Sequence, residues 1–387
     1  MPDEATLTIE KLVYGGDGLA RLDGRVVFTP YVLPGETVRA ELWRAKNDLL
    51  RGRLLDVIEP AATRVEPHCP YFRRCGGCQY QHTAYDFQLD QKRSILREML
   101  RRVGKIEFEG EVDLVAAEPW HYRNRVQLHI QGGQVGYFEP GSHRLCAIDH
   151  CPIASPKLNE VIGALSRELP RLPSFTADVE LFTNEFVVQV NVQDRWPGPA
   201  REALETIGSP DAIEYAGFRV SRNSFFQVNR FLVEPLVEAA IGDLASDSAI
   251  DLYAGVGLFT LRLTQNFQRV TAVESGRSAF RDLEFNLQQA GAAVTPEHRT
   301  TEEFLAELDQ PPELVIADPP RTGLGKQVIS ELLRLRCARV VIVSCDPATL
   351  ARDLHELLRV YTIERMTLVD LFPQTYHMET VARLKLQ

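Results

Sequence analysis

From residue 249 onward the chain repeats one unit: an apolar run, an abrupt stop at glycine, aspartate or proline, and then helical periodicity. Strands that alternate with helices cannot pair as simple hairpins, so this pattern dictates a parallel sheet with helices on its faces. Such sheets hold ligands at the carboxyl ends of their strands. Residues 249–252 run into Tyr253-Ala254-Gly255-Val256-Gly257-Leu258, and residues 270–273 run into Glu274. Residues 314–317 end in Asp318-Pro319-Pro320-Arg321, and residues 340–343 in Ser344-Cys345-Asp346-Pro347. The last run reads as a buried strand, with Asp346-Pro347 opening a loop and the helix resuming at Leu350. Cys345 at such a strand end can be a packing residue, a metal ligand or a nucleophile.

The Gly255-x-Gly257 turn followed by Glu274 suits an adenosine cofactor whose ribose hydroxyls the carboxylate holds. The third glycine of the dinucleotide fingerprint is missing, Leu258-Phe259-Thr260 standing there instead. A pyrophosphate-bearing cofactor is therefore disfavoured and S-adenosylmethionine preferred. Upstream of 249 the pattern differs. Residues 6–59 alternate short apolar runs with glycine-rich turns, as a small antiparallel barrel does. Arg39, Arg44, Lys46, Arg51 and Arg53 cluster late in it, interleaved with Tyr14, Phe28, Tyr31 and Trp43. This is either a solvated barrel or a face for RNA of the oligonucleotide-binding kind.

Seven cysteines without a secretion signal argue against a disulfide framework and for metal binding or catalysis. Cys69, Cys75 and Cys78, with Gly76-Gly77 between the last two, form three corners of a thiolate cage. Cys146 and Cys151 are candidates for the fourth, Cys151 being favoured by the proline after it. Spacing alone leaves zinc and an iron–sulfur cluster both open. A helix is expected over about residues 84–104, packing on the C-terminal domain, and strand-like runs from 120 to 192, including 126–130 and 186–192, give a central sheet. Three domains follow: 1–59, 60–222 and 223–387. The net charge of −10 lies wholly beyond residue 130, so nucleic acid, if bound, meets local basic faces. No stretch approaches the roughly 18 apolar residues of a membrane span, and a cytoplasmic monomer is expected.

Asp318-Pro319-Pro320, Ser344-Cys345-Asp346-Pro347, His377-Met378-Glu379-Thr380 and Asn223-Ser224-Phe225-Phe226-Gln227 together resemble the RNA uracil-5 methyltransferase family. The resemblance extends from a start similar to a TRAM domain, through the cysteine cage, to the last strand. It implies an OB-like barrel, a central α+β domain with a 4Fe-4S site and a Rossmann-like S-adenosylmethionine domain. It further implies Cys345 as nucleophile at uracil C6 and Glu379 as base. Gln227, Tyr253, Gly255, Leu258, Glu274 and Asp318 would meet the cofactor, and Phe225, Gln127 and Arg125 the RNA. Cys69, Cys75, Cys78 and Cys151 would hold the cluster. The branch with barrel and cluster points to 23S rRNA. Transfer RNA is the alternative target, cytosine-5 methylation a second chemistry, and a non-catalytic iron–sulfur RNA-binding protein a third reading. Two departures stand out. Arg299-Thr300-Thr301 occupies the place of an acidic adenine contact, and Gln127 that of a base-reading arginine.

Overall fold

The computed structural model describes residues 3–45, 49–171, 174–192 and 210–387; Lys46, counted above among the basic residues, lies outside them. Six strands open the chain: β1 (Asp3–Thr8), β2 (Lys11–Leu12), β3 (Asp17–Leu22), β4 (Arg25–Pro30), β5 (Thr37–Arg44) and β6 (Leu50–Glu59). They form one sheet in the order β1-β5-β6-β4-β3-β2. Its alternating apolar residues, among them Leu7, Ile9, Ala20, Val27, Val38 and Ala40, enclose a small core. Phe28 lies under Arg51, whereas Trp43 is half-exposed.

Helix α1 (Tyr85–Arg102) follows, and then β7 (Val112–Val115). The central sheet runs β10-β9-β8-β11-β12, all antiparallel, from β8 (Arg125–Gln131), β9 (Gln134–Phe138), β10 (Leu145–Ala147), β11 (Thr176–Thr183) and β12 (Val188–Val192). The last strand starts two residues later than the apolar run begins. Asn184 Oδ1 accepts from the Phe186 and Val187 amides and turns the chain there, leaving Phe186 84% exposed. Helix α2 (Pro156–Glu168), capped by Ser155, covers one face. A hairpin of β13 (Ala212–Tyr215) and β14 (Phe218–Ser221) leads onward.

The remaining strands are β15 (Ser246–Leu252), β16 (Phe267–Val273), β17 (Val294–Glu297), β18 (Leu314–Ala317), β19 (Arg339–Ser344), β20 (Tyr361–Val369) and β21 (Glu379–Leu386). With β7 they make an eight-stranded sheet in the order β17-β16-β15-β18-β19-β21-β20-β7. Five parallel strands run from β17 to β19, and β21 is antiparallel to β19. Both faces are buried, which is why its strands read as unbroken apolar runs. Val340 and Ile342 join one apolar layer, with Ile95, Leu96 and Leu100 of α1. Val341 and Val343 join the other, with Leu236 and Val237 of α3 (Val233–Ala240) and Phe259 and Leu263 of α4 (Leu258–Asn266). Helix α5 (Arg277–Ala290) follows β16, and α6 (Thr301–Ala306) follows β17.

Of two further helices, α7 (Gly325–Leu335) and α8 (Pro347–Leu357), α8 packs beside α1 and α7 beside α8. Helix α8 starts three residues earlier than the sequence reading placed it. Asp346 accepts from the Ala348 and Thr349 amides and Pro347 takes the first helical position, so no loop intervenes.

Helix α1 is tied to the loop between β20 and β21 by a fully buried ion pair. Lys92 Nζ donates to Asp370 Oδ1 at 2.6 Å and to the Phe372 carbonyl at 2.9 Å, while Tyr85 donates to Asp370 Oδ2 at 2.9 Å. Lys92→Met strands Asp370 as an uncompensated buried carboxylate. The expected loss is about 3–5 kcal/mol of stability, read by urea unfolding.

Candidate active site

Strand β15 pairs with β16 on one side and β18 on the other, so the chain's crossovers diverge there and leave a crevice at the carboxyl ends. Tyr253, half-buried with φ 61°, and Gly255, with φ 56°, turn the chain above it. A Cβ added at Gly255 would meet nothing within 4 Å, so space remains over the turn. Glu274, just past β16, accepts from the Gly255 amide at 2.8 Å and from the Gly276 amide. Each carboxylate oxygen keeps a second lone pair that a ribose hydroxyl could use. Leu258 opens α4 and packs toward Phe226 and Val256. At the doubtful adenine position, Thr300 and Glu303 form a capping box at the start of α6.

Asp318 follows β18, and Gln227 Nε2 lies 3.5 Å from its Oδ2. Cys345 follows β19, and the antiparallel register of Ser344 opposite Thr380 puts Glu379 alongside it. Cys345, Glu379, Asp318 and Arg321 thus lie near one another at adjoining strand ends. Burial, then Glu379, push the Cys345 thiol up to about 11, opposed by a hydrogen bond and charge from Arg321. Burial also raises Asp318 to about 7. Glu379 is raised well above the carboxylate range by burial and then by Asp318, with Arg321 again opposing. Arg321 therefore faces both Cys345 and Glu379. Its positive charge favours the anionic form of each, against the burial that opposes it.

Arg321 is the residue the sequence reading left without a role, although its place directly after Asp318-Pro319-Pro320 was the available signal. Arg321→Met removes what lowers the Cys345 thiol. Alkylation of Cys345, followed by peptide mass spectrometry, is then expected to need a higher pH than in the wild type. An unchanged pH profile would show that Arg321 does not govern the thiol.

Phe225 is 62% exposed, two residues before Gln227. Its segment is held from two sides. On one, Arg125 donates to the Ser224 carbonyl at 2.9 Å, pairs with Glu180 at 3.0 Å and lies over Phe182. The Arg125 guanidinium is thus engaged within the chain, and Gln127, two residues along β8, is exposed on the same face. On the other side buried Asp282 accepts from the Ser221 amide at 2.8 Å and the Ser224 hydroxyl at 2.6 Å. One turn further along α5, Asn286 Nδ2 donates to the Val256 carbonyl at 2.9 Å, joining this segment to the glycine turn. Sequence reasoning found neither Asp282 nor Asn286, because both look like ordinary helix-surface residues.

All seven cysteines are free thiols. Cys69, Cys75, Cys78 and Cys151 share one neighbourhood, where burial first and Cys151 after it raise each of the other three, and Cys146 also raises Cys69 and Cys75. Cys146 is buried in the central core, where burial raises its thiol and Arg74 opposes the shift. Among the described residues no three His, Cys, Asp or Glu side chains are arranged to hold a metal ion, so the thiolate cage expected from the sequence is not shown.

The sequence model for tRNA (Uracil-5-)-methyltransferase matches residues 307–386, which include Asp318, Cys345 and Glu379, and that for the TRAM domain matches residues 3–55. An "Uncharacterized RNA methyltransferase" of Aquifex aeolicus is 32% identical, over 98% of this chain and 98% of its own. The chain belongs to the RNA (uracil-5-)-methyltransferase family. A second "Uncharacterized RNA methyltransferase", from Thermosynechococcus vestitus, is 31% identical over 98% of this chain and 97% of its own. The methyltransferase also shares its fold with the Pyrococcus abyssi tRNA (uracil-54, C5)-methyltransferase solved with S-adenosyl-L-homocysteine. The TM-score is 0.76 at 24% identity, over 98% of this chain and 100% of the other. No helix among the described residues is long and apolar enough to cross a membrane.

Proposed function

We propose that this methyltransferase moves the methyl group of S-adenosylmethionine to C5 of a uracil in RNA, using Cys345 as nucleophile and Glu379 as base. The observation that carries the reading is the meeting of Cys345, Glu379, Asp318 and Arg321 at adjoining strand ends. Uracil C5 is too weak a nucleophile to attack a sulfonium methyl group unaided. The Cys345 thiol loses its proton to water, the thiolate adds to C6, and the displaced electron pair makes an enolate whose charge reaches C5. C5 takes the methyl group, and the cofactor leaves as neutral S-adenosylhomocysteine. The sulfur is by then an uncharged thioether. Glu379 gives up its own proton to water, and its carboxylate, favoured by Arg321, removes the C5 proton. Those electrons re-form the enolate, which expels the thiolate and restores the ring.

The cofactor's ribose fits the free lone pairs of Glu274 above the open turn at Gly255. Gln227 and Asp318 line its methyl end, and Tyr253 and Leu258 flank the crevice. Phe225 receives the target base, which must leave its stack to expose C5 and C6. Gln127 lies on the same side as Arg125, whose task is to hold the Phe225 segment.

Cys69, Cys75, Cys78 and Cys151 would hold a 4Fe-4S cluster. The support is the proximity of Cys151 to Cys69, Cys75 and Cys78 and the proline that follows Cys151. When bound the cluster would supply a rigid cross-link between the Cys69–Cys78 loop and the start of the Cys151-Pro152 turn.

The favoured target is 23S rRNA. The Pyrococcus abyssi tRNA enzyme supports a second reading, because the fold similarity spans nearly all of both chains and the architecture alone does not separate the targets. Mass spectrometry of 23S rRNA and tRNA from a deletion strain tests both. Loss of 5-methyluridine from rRNA alone is expected, loss from tRNA alone would transfer the assignment, and loss from neither would overturn the reading.

A further inference from the structure

The turn between β2 and β3 reaches out of the N-terminal barrel into the candidate active site. Tyr14 Oη donates to Asp346 Oδ2 at 3.0 Å across 332 residues of sequence. Asp346 is the residue after Cys345, and its other oxygen, Oδ1, caps α8 through the Ala348 and Thr349 amides at 2.9 and 2.8 Å. One carboxylate therefore joins the nucleophile's backbone, a helix N-terminus and a phenol from another domain. The Tyr14 ring also packs edge-on against Tyr376, centroids 5.6 Å apart, and Tyr376 lies three residues before Glu379.

The turn is seated rather than resting on the surface. Gly16 has φ +92°, and a Cβ there would lie 2.9 Å from Gln79 Cγ and 3.5 Å from Tyr376 Cβ. Gln79 follows Cys78. Its amide donates to the Gln374 carbonyl at 3.0 Å, and its Oε1 accepts from the Tyr376 amide at 3.4 Å. Leu12 is buried in the same apolar layer as α1 and α8. Lys11 Nζ pairs with Glu98 of α1 at 2.6 Å. The barrel turn, the cysteine loop, the Cys345 loop and the segment leading to Glu379 thus meet at Tyr14.

We propose that Tyr14 is a positioning residue for Cys345, so that the barrel completes the active site as well as meeting RNA. An unbound Asp346 carboxylate can swing about its side-chain bonds while still capping α8 through one oxygen. Fixing the second oxygen locks its plane and with it the backbone that aims the sulfur. Errors of about 1 Å in such an aim cost up to about 10²-fold in rate.

The proposal rests on the reaction proposed above, and the test separates the two. It uses the full-length protein and whichever RNA the wild type methylates, prepared also with 5-fluorouridine. Fluorine cannot leave C5 as a cation, so the Cys345 adduct accumulates and its formation rate can be timed. Tyr14→Phe is expected to slow adduct formation about tenfold and leave RNA affinity within about twofold. Asp346→Ser keeps a helix cap but removes the partner of the phenol, and is expected to slow the step similarly. The double variant is expected to be no slower than Asp346→Ser alone. A wild-type adduct rate in Tyr14→Phe, a loss confined to RNA affinity, or additive losses in the double variant would overturn the assignment. A wild type that forms no adduct refutes the reaction instead.

Discussion

Cys345→Ala is expected to lose methyl transfer by about 10⁴-fold or more and to yield no RNA–protein species that survives denaturation. Without a sulfur at C6 no enolate forms, and C5 stays too electron-poor for the sulfonium carbon. The effect belongs to chemistry and not to folding. Cys345 is partly exposed at a strand end, and the apolar layers beneath it are built by Val340 to Val343. The thermal midpoint is therefore expected to stay close to the wild type. Methylation assays with radiolabelled S-adenosylmethionine, run beside a denaturing gel, check both parts. Substantial residual transfer would sink the covalent route.

Glu379→Gln is expected to give the opposite picture on the same gel. Addition and methylation proceed, but the C5 proton has no acceptor, so a methylated RNA–protein adduct builds up. Release falls by about 10²- to 10⁴-fold, the range of a lost general base. Burial and Asp318 raise the Glu379 carboxyl well above its ordinary value and so favour its neutral form. Glutamine resembles that form in shape and charge, and the folded state should accept it readily. A Glu379→Gln enzyme that turns over freely would move the base elsewhere, with Asp318 the next carboxylate to try.

Residues that announce themselves locally were legible in the sequence. Cys345, Asp318 and Glu274 each end an apolar run, and a run that stops abruptly is a strand end whatever surrounds it. Glu379 was reached through family resemblance, since nothing local marks a glutamate at a strand start. Arg321 was visible but uninterpretable, because its effect arises only when β18, β19 and β21 lie side by side. Tyr14 passed for one of several barrel aromatics, and no periodicity carries information across the 332 residues to Asp346. Asp282 and Asn286 failed for a related reason, being polar groups whose partners come from another part of the chain. At the scale of elements, Phe186 was read into a strand on its hydrophobicity, whereas the Asn184 turn decides where pairing begins.

The placement of β7 has a consequence for biogenesis. It lies parallel to β20, Val112 opposite Met366, at the edge of the eight-stranded sheet. A segment that leaves the ribosome early must wait for a strand made some 250 residues later, through the synthesis of the whole central sheet. Closing so long a loop is slow, and until it closes the β20 border is an open template for other chains. A fragment starting at residue 223 would keep that border bare permanently, and would be expected to precipitate where the intact polypeptide does not.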